Sequence, residues 1–145
     1  MRTLDRGRIV IGAMALGLAE GALARSLQYA QERKTFGREI AHHQAIAFKL
    51  ADMAVGVEAA RHLVYHAARR KDAGLSFARE AAMAKLFSSE MAMRVTADAI
   101  QIHGGYGFTR EYHVERIFRD VKLCTIGEGT SEIQRLVIAR QLLKD

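Results

Sequence analysis

Hydrophobic positions recur every three to four residues over most of this chain, the period of an α-helix with one buried stripe. From Leu4 to about Ala30 the sequence is apolar and small, and Gly17 and Gly21 stand four apart, where a second helix is expected to pack closely. The stretch Gln31 to Glu39 breaks the period and clusters charge around Thr35-Phe36-Gly37, which predicts a connecting or functional loop. A second helix is predicted over Gln44 to Asp72, with Ile46, Leu50, Met53, Val57, Ala60 and Val64 on one face and Lys49, Asp52 and Arg61 off it. After Gly74, Ser76 is placed to cap a third helix whose inward stripe is Ala81, Ala84, Ser88, Met91, Val95, Ala99 and Ile102. Gly104-Gly105-Tyr106-Gly107 ends that helix, and a short amphipathic segment follows through Val114, Ile117, Phe118 and Val121. A last helix starts near Ser131, which stands at capping-box spacing from Gln134.

Three long helices and shorter C-terminal ones, joined by short connections, predict an all-α antiparallel bundle of the four-helix type in a single domain over residues 1–145. Composition agrees: proline is absent, and 50% of the residues are hydrophobic, enough to fill a core. The apolar run Ile9 to Ala19 stops at Glu20, short of the roughly 20 residues that span a bilayer, so no membrane anchor is expected. No cleavage region follows it, and Cys124 has no second cysteine to pair with. A reducing, cytoplasmic setting is therefore expected. The net charge of +6 permits an anionic ligand, but acidic and basic residues are interleaved and no basic tract alternates with aromatics. Nucleic acid is not the expected partner.

The candidate chemistry is local. Glu128 stands between Gly127 and Gly129 just before the last helix, which reads either as a surface turn or as a base that a reacting group can approach closely. His62 and His66 have metal-ligand spacing but lack a third ligand, so no metal site is expected, and His42-His43 is given no catalytic role. Gly104, Gly105 and Gly107 lack the G-x-G-x-x-G spacing and follow a helix, which excludes a Rossmann phosphate loop. Arg33 with Thr35 offers a charge-assisted fork and a hydroxyl to a phosphate, or is a solvated loop; the last helix start offers a positive dipole end.

Taken in order, Leu4-Asp5-Arg6-Gly7-Arg8, Glu32-Arg33-Lys34-Thr35-Phe36-Gly37, Gln101-Ile102-His103-Gly104-Gly105-Tyr106-Gly107, Arg119-Asp120 and Glu128 to Arg135 resemble the C-terminal helical domain of the acyl-CoA dehydrogenase family. The resemblance covers essentially the whole chain, and short-chain members look nearest. It implies an FAD-dependent oxidoreductase that converts an acyl-CoA thioester to the trans-2-enoyl-CoA, as in fatty acid β-oxidation, passing electrons to an electron-transfer flavoprotein. Glu128 matches the carboxylate that removes the α-proton, a task that favours a desolvated base beside the α-carbon. Isovaleryl-type and long-chain relatives carry the base at the position matching Gly7, and here that place has no carboxylate.

By the same resemblance Arg33, Thr35, Phe36, Gln44 and the run Gln101, Ile102, His103, Gly104, Gly105 would meet the FAD diphosphate and adenosine of a neighbouring subunit in a dimer or tetramer. Thr130, Ser131 and Glu132 would meet the flavin nucleotide of their own subunit, and Asp5, Arg8 and Gly129 the acyl-CoA. Gly127 stands where most relatives have tyrosine, which implies a wider acyl pocket. The family's N-terminal helical and middle β-domains are absent from this sequence, so the isolated chain is expected to be inactive, either a piece of a longer enzyme or a chain that needs partners. The alternative is a non-catalytic helical module for oligomerisation or CoA binding.

Overall fold

The computed structural model describes residues 2–143. Its order is α1 (Arg2–Glu32), a hairpin of β1 (Lys34–Thr35) and β2 (Arg38–Glu39), α2 (Gln44–Asp72), α3 (Ala78–His103), α4 (Val114–Cys124) and α5 (Ser131–Leu142), with short 3₁₀ turns between. The expected all-α bundle is therefore present, and the loop predicted over Gln31 to Glu39 folds back on itself as a two-stranded antiparallel ribbon, Lys34 opposite Glu39 and Thr35 opposite Arg38. Phe36 and Gly37 turn the ribbon with φ of 51° and 81°.

α3 is the central helix and touches each of the other four. Its whole predicted stripe is buried, as are Met53, Val57, Ala60 and Val64 of α2, while Ile46 and Leu50 pack at the margin. α1 contributes Ala15, Leu16, Ala19, Ala22 and Ala30, small side chains that let the helix axes approach. At Gly12 of α1 a methyl group would stand 3.5 Å from the backbone of Ala84 and Lys85 of α3. Gly17 and Gly21 do not serve the packing expected of them, since a methyl at Gly17 would meet nothing within 4 Å and one at Gly21 only the Arg25 side chain. They lie on the outer side of α1, away from the face that α3 covers.

The capping differs from expectation at two places. α3 starts at Ala78 after Phe77, and Ser76 contributes its carbonyl to Arg70 Nε at 3.0 Å instead of a side-chain cap. α5 is capped by Thr130, whose hydroxyl accepts from the Ile133 amide, so Ser131 is already inside the helix. Over Leu4–Glu32 the apolar character of α1 runs past Glu20, with a window of mean hydropathy 1.4, enough by length and composition to cross a membrane. A core helix passes the same test, and here one face of it is the core.

The far end of the bundle closes on aromatic rings. His103 is buried, stacks on Tyr29 with 4.3 Å between centroids, and donates Nδ1–H to the Ala99 carbonyl at 2.7 Å. Burial, only partly opposed by that hydrogen bond, holds the imidazole below its ordinary value of 6.5. Gly107 lies against it, where a methyl would come within 2.5 Å of the Ile100 carbonyl oxygen and 3.0 Å of His103 Cβ.

Two outcomes are expected. Gly107→Ala forces backbone to move and should cost about 1–3 kcal/mol, seen as a fall in Tm of several degrees, whereas Gly105→Ala, with nothing within 4 Å, should leave Tm unchanged. The unfolded chain takes up a proton at His103 below about pH 6.5 that the folded chain refuses, so stability should drop as pH falls through that value. Urea midpoints between pH 7.5 and 5.5, values chosen to bracket the ordinary histidine range, should fall less steeply in His103→Gln.

Candidate active site

The turn between α4 and α5 carries Glu128. The amides of Thr125, Ile126 and Gly127 wind down the end of α4 onto Lys122 and Leu123 carbonyls, and the Ser131 amide closes the loop on the Thr125 carbonyl at 3.1 Å. Between these anchors Glu128 and Gly129 both adopt left-handed backbone, with φ of 56° and 93°. Glycine takes that conformation freely; glutamate does so at a cost on the order of 1–3 kcal/mol.

The Glu128 carboxylate lies over α1 at Gly7. A methyl group on Gly7 would stand 2.5 Å from both Cδ and Oε2, so the acid occupies the space that any side chain at position 7 would fill. Positions 7 and 128 thus open onto one spot, and only one of them can deliver a carboxylate there. Gly129 needs to be glycine on two counts, its φ and a would-be Cβ only 3.0 Å from Gln134 Nε2. Gly127 faces Leu123 and Ile11. Glu128 is not desolvated in this chain, contrary to the expectation for a base: it is exposed, and any wall around it comes from outside these residues.

Two buried donors hold the turn. Lys85 of α3 is fully buried and gives Nζ–H to the Gly129 carbonyl at 2.7 Å. Gln134 of α5, also fully buried, gives Nε2–H to the same carbonyl at 2.8 Å and to the Glu128 carbonyl at 3.2 Å. Burying an ammonium costs several kcal/mol, and here it depresses the Lys85 pKa below its usual value. Sequence reasoning missed Lys85 altogether. The signal was there, because Lys85 is four residues after Ala81 and three before Ser88, on the face assigned inward. Gln134 was read only as a capping partner.

Asp5 and Arg8 are buried at 7% exposure each and bonded to one another at 2.6 Å, with Arg8 Nε buried and unpartnered. Their charges face each other, and Asp5 borders a hollow of about 360 Å³ between the start of α1 and the α2–α3 turn, beside Arg6 and Lys71.

The second cluster lies at the other end of α1. A hollow of about 420 Å³ is lined by Arg33 and Thr35 from the hairpin, Ile102, His103, Gly104 and Gly105 from the end of α3, and Tyr29, Ile40, Tyr106 and Thr109. Arg33 lies over the Tyr106 ring, 5.5 Å from its centroid, and Thr35 Oγ1 is 3.0 Å from His43 Nε2. His43 therefore orders the loop, a role the sequence reading did not give it. Phe36 is 98% exposed at the hairpin tip, and Gln44 and Gln101 are exposed. Ile102 is buried and reaches the hollow only from its wall. Gly104 and Gly105 leave open space where side chains would stand. Among the described residues no group of three metal-ligating side chains occurs; His62 pairs with Glu58 and His66 is exposed.

From Gly7 to Glu32 α1 rises roughly 38 Å at 1.5 Å per residue, which sets the two clusters far apart. Residues 1–143 match the family described as "Acyl-CoA dehydrogenase, C-terminal domain". A probable acyl-CoA dehydrogenase of Bacillus subtilis, YngJ, is 63% identical over 142 residues, covering 98% of this chain and 37% of that protein. The caffeyl-CoA reductase-Etf complex subunit CarC of Acetobacterium woodii is 51% identical over 99% of this chain and 38% of its own length. The butyryl-CoA dehydrogenase structure from Megasphaera elsdenii superimposes with a TM-score of 0.98 at 51% identity, over 99% of this chain and 38% of that one. This chain thus spans a little over a third of the relatives it matches, and it belongs to the acyl-CoA dehydrogenase family as that family's C-terminal helical domain.

Proposed function

We propose that this domain supplies the α-proton base and two partial cofactor surfaces of an FAD-dependent acyl-CoA dehydrogenase. The observation that carries the reading is the seating of Glu128 over Gly7, a carboxylate held by its turn above a stretch of α1 that carries no side chain. In this reading a carboxylate oxygen of Glu128 takes the proton from the α-carbon, and the acid so formed stays over Gly7 while the enoyl product leaves. FAD, when bound, supplies the acceptor for the β-hydride. The open cradle at Gly104 and Gly105 beside the Arg33 fork suits an anionic diphosphate. Arg33, Thr35, Phe36, Gln44 and the Gln101 to Gly105 run would hold the diphosphate and adenosine end of a neighbouring subunit's FAD there, and Thr130, Ser131 and Glu132 would approach the flavin end of the domain's own FAD at the other cluster. In this reading the two surfaces, set roughly 38 Å apart along α1, serve two different FAD molecules, and a second subunit completes each site.

Self-association is supported by apolar side chains left in solvent: Leu4, Val10 and Met14 on α1, Phe48 and Val55 on α2, and Ile133 and Leu136 on α5. A dimer or tetramer is part of the proposal, as are acyl-CoA with Asp5, Arg8 and Gly129 near it, and an electron-transfer flavoprotein as acceptor, in line with the Etf complex named for the Acetobacterium relative. The room at Gly127 favours branched or bulky acyl groups. A cytoplasmic place in β-oxidation-type chemistry, with the free thiol of Cys124 buried in the core, completes the reading; membrane and nucleic acid have no part in it.

In the full-length enzyme carrying this domain, Glu128→Gln should keep its flavin spectrum yet lose substrate-dependent flavin bleaching by roughly 10²–10⁴-fold; retained turnover would sink the assignment. Arg33→Ala should weaken FAD retention ten- to hundredfold, the loss of a charge-assisted hydrogen bond worth about 1.5–3 kcal/mol, measured by flavin release on dilution.

A further inference from the structure

The Glu-Gly pair at positions 128 and 129 is built from two consecutive left-handed residues, one of which pays for it. Such backbone persists only where surroundings over-determine it. The helix ends beside it are already provided for: Thr130 caps α5, and the amides of Thr125, Ile126 and Gly127 close α4. Neither end uses Lys85. Its ammonium travels instead from α3 to the carbonyl of the residue that follows the carboxylate, 2.7 Å away, and Gln134 pins both that carbonyl and the one before it. Two successive peptide planes, which glycine at 129 would otherwise leave free to rotate, are thereby locked.

The clamp is also referenced to the seat of the base. Lys85 Cα lies 3.5 Å from a methyl built on Gly12 of α1, and the same helix provides Gly7 beneath the Glu128 carboxylate. One rigid helix therefore sets both the floor under the acid and, through Lys85, the height of its turn. A methionine has a similar length without a charge, and burying an ammonium costs several kcal/mol. A charge kept at that place points to a demand other than folding.

We propose that Lys85, with Gln134, is a positioning residue for α-proton removal: the two buried donors clamp the Gly129 carbonyl and hold Glu128 over Gly7 in the geometry from which it acts. The inference rests on the reading of Glu128 as the base. Misplacing a catalytic group by about 1 Å costs on the order of a hundredfold in rate, so the loss should fall on proton removal and spare binding.

The test is stopped-flow reduction of bound flavin by saturating acyl-CoA in the full-length enzyme, comparing Lys85→Met and Glu128→Gln. Lys85→Met should retain FAD and a KM within threefold of the parent, reduce flavin ten- to hundredfold more slowly, and show a larger rate difference between α-protiated and α-deuterated substrate. A folded Lys85→Met enzyme with the parental rate and isotope effect, beside an inactive Glu128→Gln, overturns the clamp and leaves the base assignment standing. An active Glu128→Gln overturns both. If Lys85→Met does not accumulate with flavin, Gln134→Met decides: at least a threefold loss in flavin reduction with unchanged KM supports the clamp, and the parental rate refutes it.

Discussion

The close contact of α1 with α3 sets the position of every other element. Both helices bury many small side chains, Ala15, Ala19 and Ala22 on one and Ala81, Ala84, Ala92 and Ala99 on the other, and Gly12 lies close against the backbone of Ala84 and Lys85. Helices whose contact residues are small pack at the short end of the 8–10 Å range and gain dispersion along their length. α2 then covers one side of the pair and α4 and α5 another, all of them held to α3. Ion pairs such as Lys49 with Asp98 and Arg61 with Glu20 bridge the helices at the surface. They fix register more than they stabilise, since exposed pairs contribute about 0–1 kcal/mol.

A long rigid α1 with a cluster at each end explains why the domain reads as two half-sites. At one end the helix presents bare backbone at Gly7, and the α4–α5 turn lowers a carboxylate onto it. At the other, a two-stranded hairpin and the glycine-rich end of α3 border an open hollow beside Arg33. Neither half encloses a ligand. Glu128 is exposed to solvent. Apolar side chains on α1, α2 and α5 are left in solvent.

Much of this was legible in the residues. The inward stripes of α2 and α3 were read position by position, because a helix that buries one face must repeat its apolar residues with the helical period. Local errors came where one motif has several structural uses. Gly17 and Gly21 have the spacing of a packing stripe, yet spacing does not say which side of a helix faces the core, and Gly12 is the residue that does the packing. Ser131 stands one position after Thr130, another good capping residue, which holds the N-cap of α5 because the turn before it closes there, and Ser76 stands one position before Phe77, where α3 starts without a side-chain cap.

The sequence by itself determined the number, order and approximate ends of the helices, the family, and the residue types gathered around Glu128, since periodicity and short motifs are properties of neighbours along the chain. Only the tertiary structure decided that Gly7 and Glu128 share one space, that Asp5 and Arg8 answer each other, and that a lysine from α3 reaches the carbonyl beside the acid. Those facts depend on which faces meet at the α1–α3 contact and on left-handed backbone at Glu128. Both follow from the balance of packing and hydrogen bonding across the whole bundle, which no local pattern records.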